Sequence, residues 1–240
     1  MCTVTYLPTS PGFIVTQSRD ESIYRPQARF PVRASRDPQL LFPQDPQGGG
    51  TWIAVSDQAR VLSLMNGAFT DHQRKPPYRK SRGQVVLEAF SYVSAQSFAE
   101  CYNFSGIEPF TLLWFTQNKI QEVRWNGQKY LLSELRPDQP HVWSSATLYD
   151  DNAQSIRNGW FEQWLALEDD LSNTLSFHRQ THNEQPEIAI NMQRKGGLQT
   201  VSVAKVEIAV NDMVFTYQDL LSEQTFQETL ERSDISNVVD

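Results

Sequence analysis

The sequence predicts an α+β protein, a four-layer αββα sandwich in which two antiparallel sheets pack face to face with helices outside. Three observations carry this prediction. β-favouring runs come in pairs separated by turn residues. Helical periodicity is confined to two blocks, around residues 84–102 and after residue 151. The strand–helix–strand spacing that builds a parallel sheet does not occur.

Taken in order, residues 2–7 alternate Thr, Val, Thr, Tyr and meet a Pro8 to Gly12 turn, after which residues 13–17 complete a hairpin. The second strand ends at Ser18-Arg19-Asp20-Glu21, and antiparallel pairing returns that tetrapeptide to the chain start. Residues 25–50, rich in Pro, Arg, Gln and Asp, have no sustained period and read as a long ordered loop or flap. Gly48-Gly49-Gly50 opens a second hairpin, residues 51–56 and 60–66. A polar loop, 67–83, leads to two helices, 84–92 and 95–102. Residues 110–116, 120–125 and 129–132 form a meander whose second turn, Asn126-Gly127, is a strong two-residue hairpin signal. Residues 141–148 read as a strand. From Asp151 onward, Ile156, Trp160, Phe161, Trp164, Leu165 and Leu167 fall at helical spacing. A further helix is expected at 170–178, and a closing hairpin at 198–210 and 213–217. The single domain covers residues 1–222, and residues 223–240 read as a frayed polar tail.

Composition narrows the function classes. The chain has 240 residues, 39% of them hydrophobic, which suits one large domain folding in water. Its formal charge of -7 opposes nucleic acid and anionic lipid, so small molecules or proteins are the better partners. The longest apolar run, residues 110–115, is too short for a membrane span. The first residues carry no export signal, and a cytoplasmic location is the expectation. Cys2 and Cys101 are read as separate thiols, Cys101 as a small buried hydrophobe. The four histidines have no zinc-type spacing with other ligands, so neither a metal nor a cofactor is expected, and the His178/His182 pair reads as a surface coincidence. Trp143, Trp160 and Trp164 read as core aromatics.

The chemistry-bearing feature is Cys2 itself. Met is normally removed before a small residue, which leaves a thiol and a free α-amine on one residue. Their reference pKa values, about 8.5 and about 7.7–8.0, put nucleophile and base within reach of their reactive forms at neutral pH. The amine could take the thiol proton and later return it to a leaving amine, while the oxyanion formed needs donors in a dry site. The hairpin brings Asp20 near enough to orient the amine.

Several blocks resemble the NRDE family in order: Met1-Cys2, Ser18-Arg19-Asp20-Glu21, Gly49-Gly50-Thr51-Trp52-Ile53, Leu64-Met65-Asn66, Ser81-Arg82-Gly83 and Gln199-Thr200-Val201-Ser202. That family is in turn similar to the N-terminal-nucleophile hydrolases, particularly the penicillin and bile-salt amide hydrolases with an N-terminal cysteine. The resemblance implies the αββα sandwich and cleavage of a C–N bond in a small molecule. It implies Cys2 as nucleophile and base, Arg19 and Asp20 as groups that tune it, and Asn66 as an oxyanion donor. Ser18, Trp52, Arg82 and Ser145 are the implied substrate contacts. The chain departs from the pattern at Ser18, where the family has Asn, at Ser144-Ser145, where it usually has Ser-Asn, and at Gly196-Gly197-Leu198, where an Arg is frequent and Lys195 is the nearest substitute. A non-catalytic role on the same fold, in ligand binding or trafficking of haem or lipid, is the alternative. The basic run from Arg74 to Arg82 reads as a solvated loop with Arg82 positioning the next helix, or as a receiver of an anionic ligand.

Overall fold

The structure, a computed structural model, describes residues 2–35 and 37–233. Its strands are β1 (Cys2–Thr9), β2 (Gly12–Ser22), β3 (Arg29–Ala34), β4 (Leu40–Gln44), β5 (Ile53–Ser56), β6 (Val61–Asn66), β7 (Phe110–Thr116), β8 (Lys119–Trp125), β9 (Tyr130–Leu135), β10 (His141–Ser144), β11 (Leu198–Ile208), β12 (Asp212–Asp219) and β13 (Gln224–Glu231). The helices are α1 (Arg82–Ala89), α2 (Ala95–Cys101), α3 (Asp151–Leu167) and α4 (Thr174–His178). One six-stranded sheet runs β10-β1-β2-β11-β12-β13 and one seven-stranded sheet runs β3-β4-β5-β6-β7-β8-β9. Every pairing is antiparallel.

Strand alternation divides the core into layers. Val4, Tyr6, Phe13 and Val15 of the first sheet meet Ile53, Val55, Phe115 and Met65 of the second, forming the central layer. On the far side of the second sheet, Leu62, Leu64 and Trp114 pack against Val85, Val86 and Phe98 of α1 and α2. On the far side of the first, Leu7 and Ile14 pack against Phe161, Trp164 and Phe177 of α3 and α4. Each such large side chain contributes about 1.5–3 kcal/mol when fully buried, so the three layers hold the sandwich together without a disulfide. The αββα architecture read from the sequence is therefore the one the chain adopts.

Four local expectations are corrected. The flap of residues 25–50 contains strands β3 and β4. β3 is an edge strand with a register irregularity between Arg29 and Val32; Phe30, Val32 and Ala34 alternate with exposed residues, and Pro31, which offers no ladder donor, is what spoke against a strand. The polar tail holds β13, which pairs with β12 along its length. Main-chain bonds make that strand, with Leu230 its one side chain in the central layer, so apolar pattern did not mark it. Residues 234–240 of the expected tail lie outside the described residues. Cys101 is exposed at the end of α2, not buried. His178 is fully buried, not on the surface.

Candidate active site

The β1–β2 hairpin pairs Cys2 with Arg19 and Thr3 with Ser18. Because side chains alternate across a strand, this register sorts neighbours to opposite faces. Cys2, Gln17 and Arg19 face inward, whereas Thr3, Thr5, Ser18 and Asp20 face α3, α4 and β11.

The inward set meets a cavity of about 660 Å³ lined by Cys2, Arg19, Trp52, Asn66 and Arg82, together with residues from two loops. Cys2 is only 1% exposed and lies at the floor. Burial pushes its thiol pKa up, the Asp20 carboxylate adds to that, and a hydrogen bond from Gln17 opposes it. Gln17 is itself held by donation from Nε2 to the Leu64 carbonyl at 2.9 Å and by acceptance from Ser63 Oγ at 2.9 Å. Arg19 is 6% exposed and stacks over Trp52 with its Cζ 4.4 Å from the ring. Its carboxylate partners are loose, Asp45 at 3.5 Å and Glu21 at 3.9 Å. Trp52 Nε1 is buried without an acceptor among the described residues.

The two glycine-bearing blocks meet in the cavity wall. Thr51 N–H donates to the Gly83 carbonyl at 3.0 Å, and a Cβ on Gly50 would stand 2.1 Å from the Gly83 carbonyl carbon. Glycine at position 50 is thus what lets β5 approach the start of α1. Ser81 caps α1, its side chain accepting from Gly83 N–H. Arg82 then reaches across to donate to the Pro109 carbonyl at 3.1 Å and to pair with Glu108 at 3.2 Å.

Three expected site residues do not line the cavity. Ser18 is fully buried on the helix-facing side, its hydroxyl 2.7 Å from His178 Nδ1. Asp20, also fully buried, accepts from Tyr149 Oη at 3.0 Å and from Thr200 Oγ1 at 2.7 Å. Burial raises the Asp20 pKa, while the Arg157 charge and those two donors lower it. Its field reaches Cys2 even though its carboxylate lies behind the strand. Ser145 acts as a staple: its N–H donates to the Cys2 carbonyl at 3.0 Å and its hydroxyl to the Asn66 carbonyl at 2.8 Å. It brings Cys2 and Asn66 together but has no donor left for a ligand. Lys195 is not among the lining residues.

Sequence reading missed Gln17 and, behind the hairpin, the roles of Arg157, Tyr149 and His178. Arg157 of α3 is fully buried under β1 and β10. It donates to Ser144 Oγ at 2.8 Å, to Thr3 Oγ1, and to the carbonyls of Ile188 at 2.5 Å and Ala189 at 2.6 Å, and it stacks 3.9 Å over Tyr149. Burial, aided by the Arg157 charge, pushes His178 down to about 3. His178 is therefore neutral at ordinary pH, and it bridges Thr5 and Ser18. The one sequence signal for Gln17 was its parity with Arg19; Arg157 and His178 had none. Among the described residues no cluster of His, Cys, Asp and Glu could hold a metal ion, and no helix is long and apolar enough to cross a membrane.

The same architecture is found in solved hydrolases. A conjugated bile acid hydrolase mutant from Clostridium perfringens superposes with a TM-score of 0.53 at 8% identity, covering 97% of each chain. An N-acylethanolamine-hydrolyzing acid amidase ortholog from Caenorhabditis elegans gives 0.59 at 10% identity, covering 85% of this chain and 92% of that one. At such identities the likeness shows a shared fold, the N-terminal-nucleophile hydrolase fold. No curated protein matches the sequence. The model of the Transport and Golgi organisation 2 family, the NRDE family, matches residues 1–224, and the chain belongs to that family.

Proposed function

We propose that the protein hydrolyses a C–N bond in a small molecule with Cys2 as an N-terminal nucleophile. The observation that carries this reading is the position of Cys2 at the floor of a large cavity beside Arg19, Gln17 and Asn66. With Met1 removed, the α-amine accepts the thiol proton as sulfur attacks the carbonyl carbon, and the C=O bond opens to an oxyanion. Asn66, which lines the same cavity, is the candidate donor to that oxyanion. The amine then gives its proton to the departing nitrogen, the C–N bond breaks, and water cleaves the thioester to release acid and restore the thiol. Asp20 takes a positioning role, fixing the field at the amine from behind the strand. Fold neighbours whose names describe C–N hydrolysis support the reaction class.

Intact-mass measurement tests the first requirement, with loss of Met1 expected and its retention ruling the mechanism out. Hydrolysis of a panel of small amides should disappear in Cys2→Ser.

A binding role without turnover is favoured by one observation: the thiol is 1% exposed and its pKa raised, so it rests protonated. Spectral titration with haem, in the wild type and in Cys2→Ser, addresses the haem version; saturable binding independent of Cys2, with no amide turnover, would favour it.

A further inference from the structure

The cavity wall opposite Cys2 is built from the basic run that the hydrolase reading leaves unused. Five cationic side chains, Arg19, Arg25, Arg74, Lys80 and Arg82, face it against four carboxylates, Glu21, Asp45, Asp71 and Glu108. The pairing is uneven. Near Cys2, Asp45 and Glu21 are shared between Arg19 and Arg25, with Arg25 held at 2.5 Å by Asp45, so that end is balanced. At the other end one carboxylate, Glu108, meets both Arg74 and Arg82 at 3.2 Å and His72 Nε2 at 3.3 Å. Glu108 is 7% exposed, and one buried anion facing two guanidiniums leaves a cation short of a partner. Asp71 is exposed and accepts its neighbour's backbone N–H, while Lys80 pairs with Glu88 outside the wall. Two further nitrogens along the cavity, Trp52 Nε1 and His72 Nδ1, are buried without partners among the described residues. The wall offers polar and apolar surface in similar measure, Trp52, Leu64 and Tyr78 being its large apolar or aromatic side chains. Ligand pockets are ordinarily mostly apolar, and a long acyl chain or ring system here would strip water from guanidiniums and return no hydrogen bond.

We propose that the ligand of this cavity is an amide carrying an anionic group, held by Arg74 and Arg82, with its reactive carbonyl toward Cys2. This rests on the reading of the cavity as the hydrolytic site and names its substrate class. Guanidinium forks suit a carboxylate or a phosphate equally.

The two cysteines provide an internal comparison, because Cys2 lies in the cavity and Cys101 on the surface. Each thiol is alkylated in the full chain with iodoacetate, iodoacetamide or N-octyl-iodoacetamide, and labelling at each site is followed by peptide mass. In every case a C–S bond forms, the C–I bond breaks, iodide leaves and the thiol proton goes to buffer. The iodoacetate-to-iodoacetamide rate ratio should be about tenfold higher at Cys2 than at Cys101, the scale of one charge-assisted contact. Inorganic phosphate should compete at Cys2 alone. Arg74→Gln, at a side chain 73% exposed and safe for folding, should lower the Cys2 ratio and leave that of Cys101 unchanged; Arg82→Lys should lower it too. Equal ratios at the two cysteines, no labelling of Cys2 by iodoacetate while Cys101 reacts, or preference of Cys2 for the octyl reagent would overturn the proposal. The readout needs neither turnover nor loss of Met1, so failure of the hydrolase mechanism leaves the ratio intact and is recognised separately.

Discussion

The two faces of the β1–β2 hairpin treat their polar groups differently. On the helix-facing side, Ser18, Asp20, Thr3, Thr5, Arg157 and His178 are all sealed and all hydrogen-bonded. On the cavity side, Arg19 holds its carboxylates only at 3.5 and 3.9 Å, and the Trp52 indole N–H finds no acceptor. A satisfied buried network specifies structure, whereas donors left open beside a cavity are free to bind a solute. On the proposed function, chemistry and scaffold are separated by the thickness of one strand.

The comparison predicts different kinds of damage from the two faces. The largest effect belongs to Cys2→Ser, which should abolish amide turnover while leaving the unfolding free energy from urea titration within about 1 kcal/mol of wild type; unchanged turnover would return the cavity side to a purely binding role. Arg157→Met should act in the opposite sense. It removes the charge that offsets Asp20 and strands the carbonyls of Ile188 and Ala189, costing about 2–4 kcal/mol in chemical denaturation. A cost near zero would mean that the network is not what holds the hairpin.

Gly50→Ala probes the wall between the two sets of loops. Its Cβ would collide with backbone at 2.1 Å, so a loss of about 1–3 kcal/mol is expected by thermal melting, together with a changed Cys2 alkylation rate.

The smallest effect is a pH slope. His178 has a folded pKa of about 3 against about 6.5 unfolded, so between those values the unfolded chain binds the extra proton. Its contribution is fully present above pH 6.5 and is lost as pH falls toward 3, by at most about 1.4 kcal/mol per pH unit. Asp20, with its pKa raised, contributes with the opposite sign, so His178→Gln is needed to isolate the histidine term. Stability of that variant should fall less steeply between pH 6.5 and 4.5 than that of wild type; parallel curves would place His178 in contact with water.

How much of this was legible depended on the range of the interaction. The Asn126-Gly127 turn, the Trp160/Trp164 spacing and the two-strand opening are local signals, and each marked its element. β13 escaped because an outward polar face erases the alternation that marks a strand, and β3, whose Phe30, Val32 and Ala34 do alternate, because an edge proline interrupts it. In the site, Arg19 and Trp52 were found through short blocks, yet Asp20 and Ser18 were set on the cavity although their parity with Arg19 already placed them on the opposite face. His178 was dismissed because its partners lie 160 and 173 residues away.

By itself the amino-acid order determined that a hairpin returns residue 19 to residue 2, since a tight turn and period-two alternation need no other part of the chain. Only tertiary packing decided that Arg157 and Tyr149 would back Asp20, that Ser145 would tie Cys2 to Asn66, and that Glu108 would serve two arginines. Those contacts join segments whose mutual approach is set by burying three hydrophobic layers at once, a collective term that no short stretch of sequence displays.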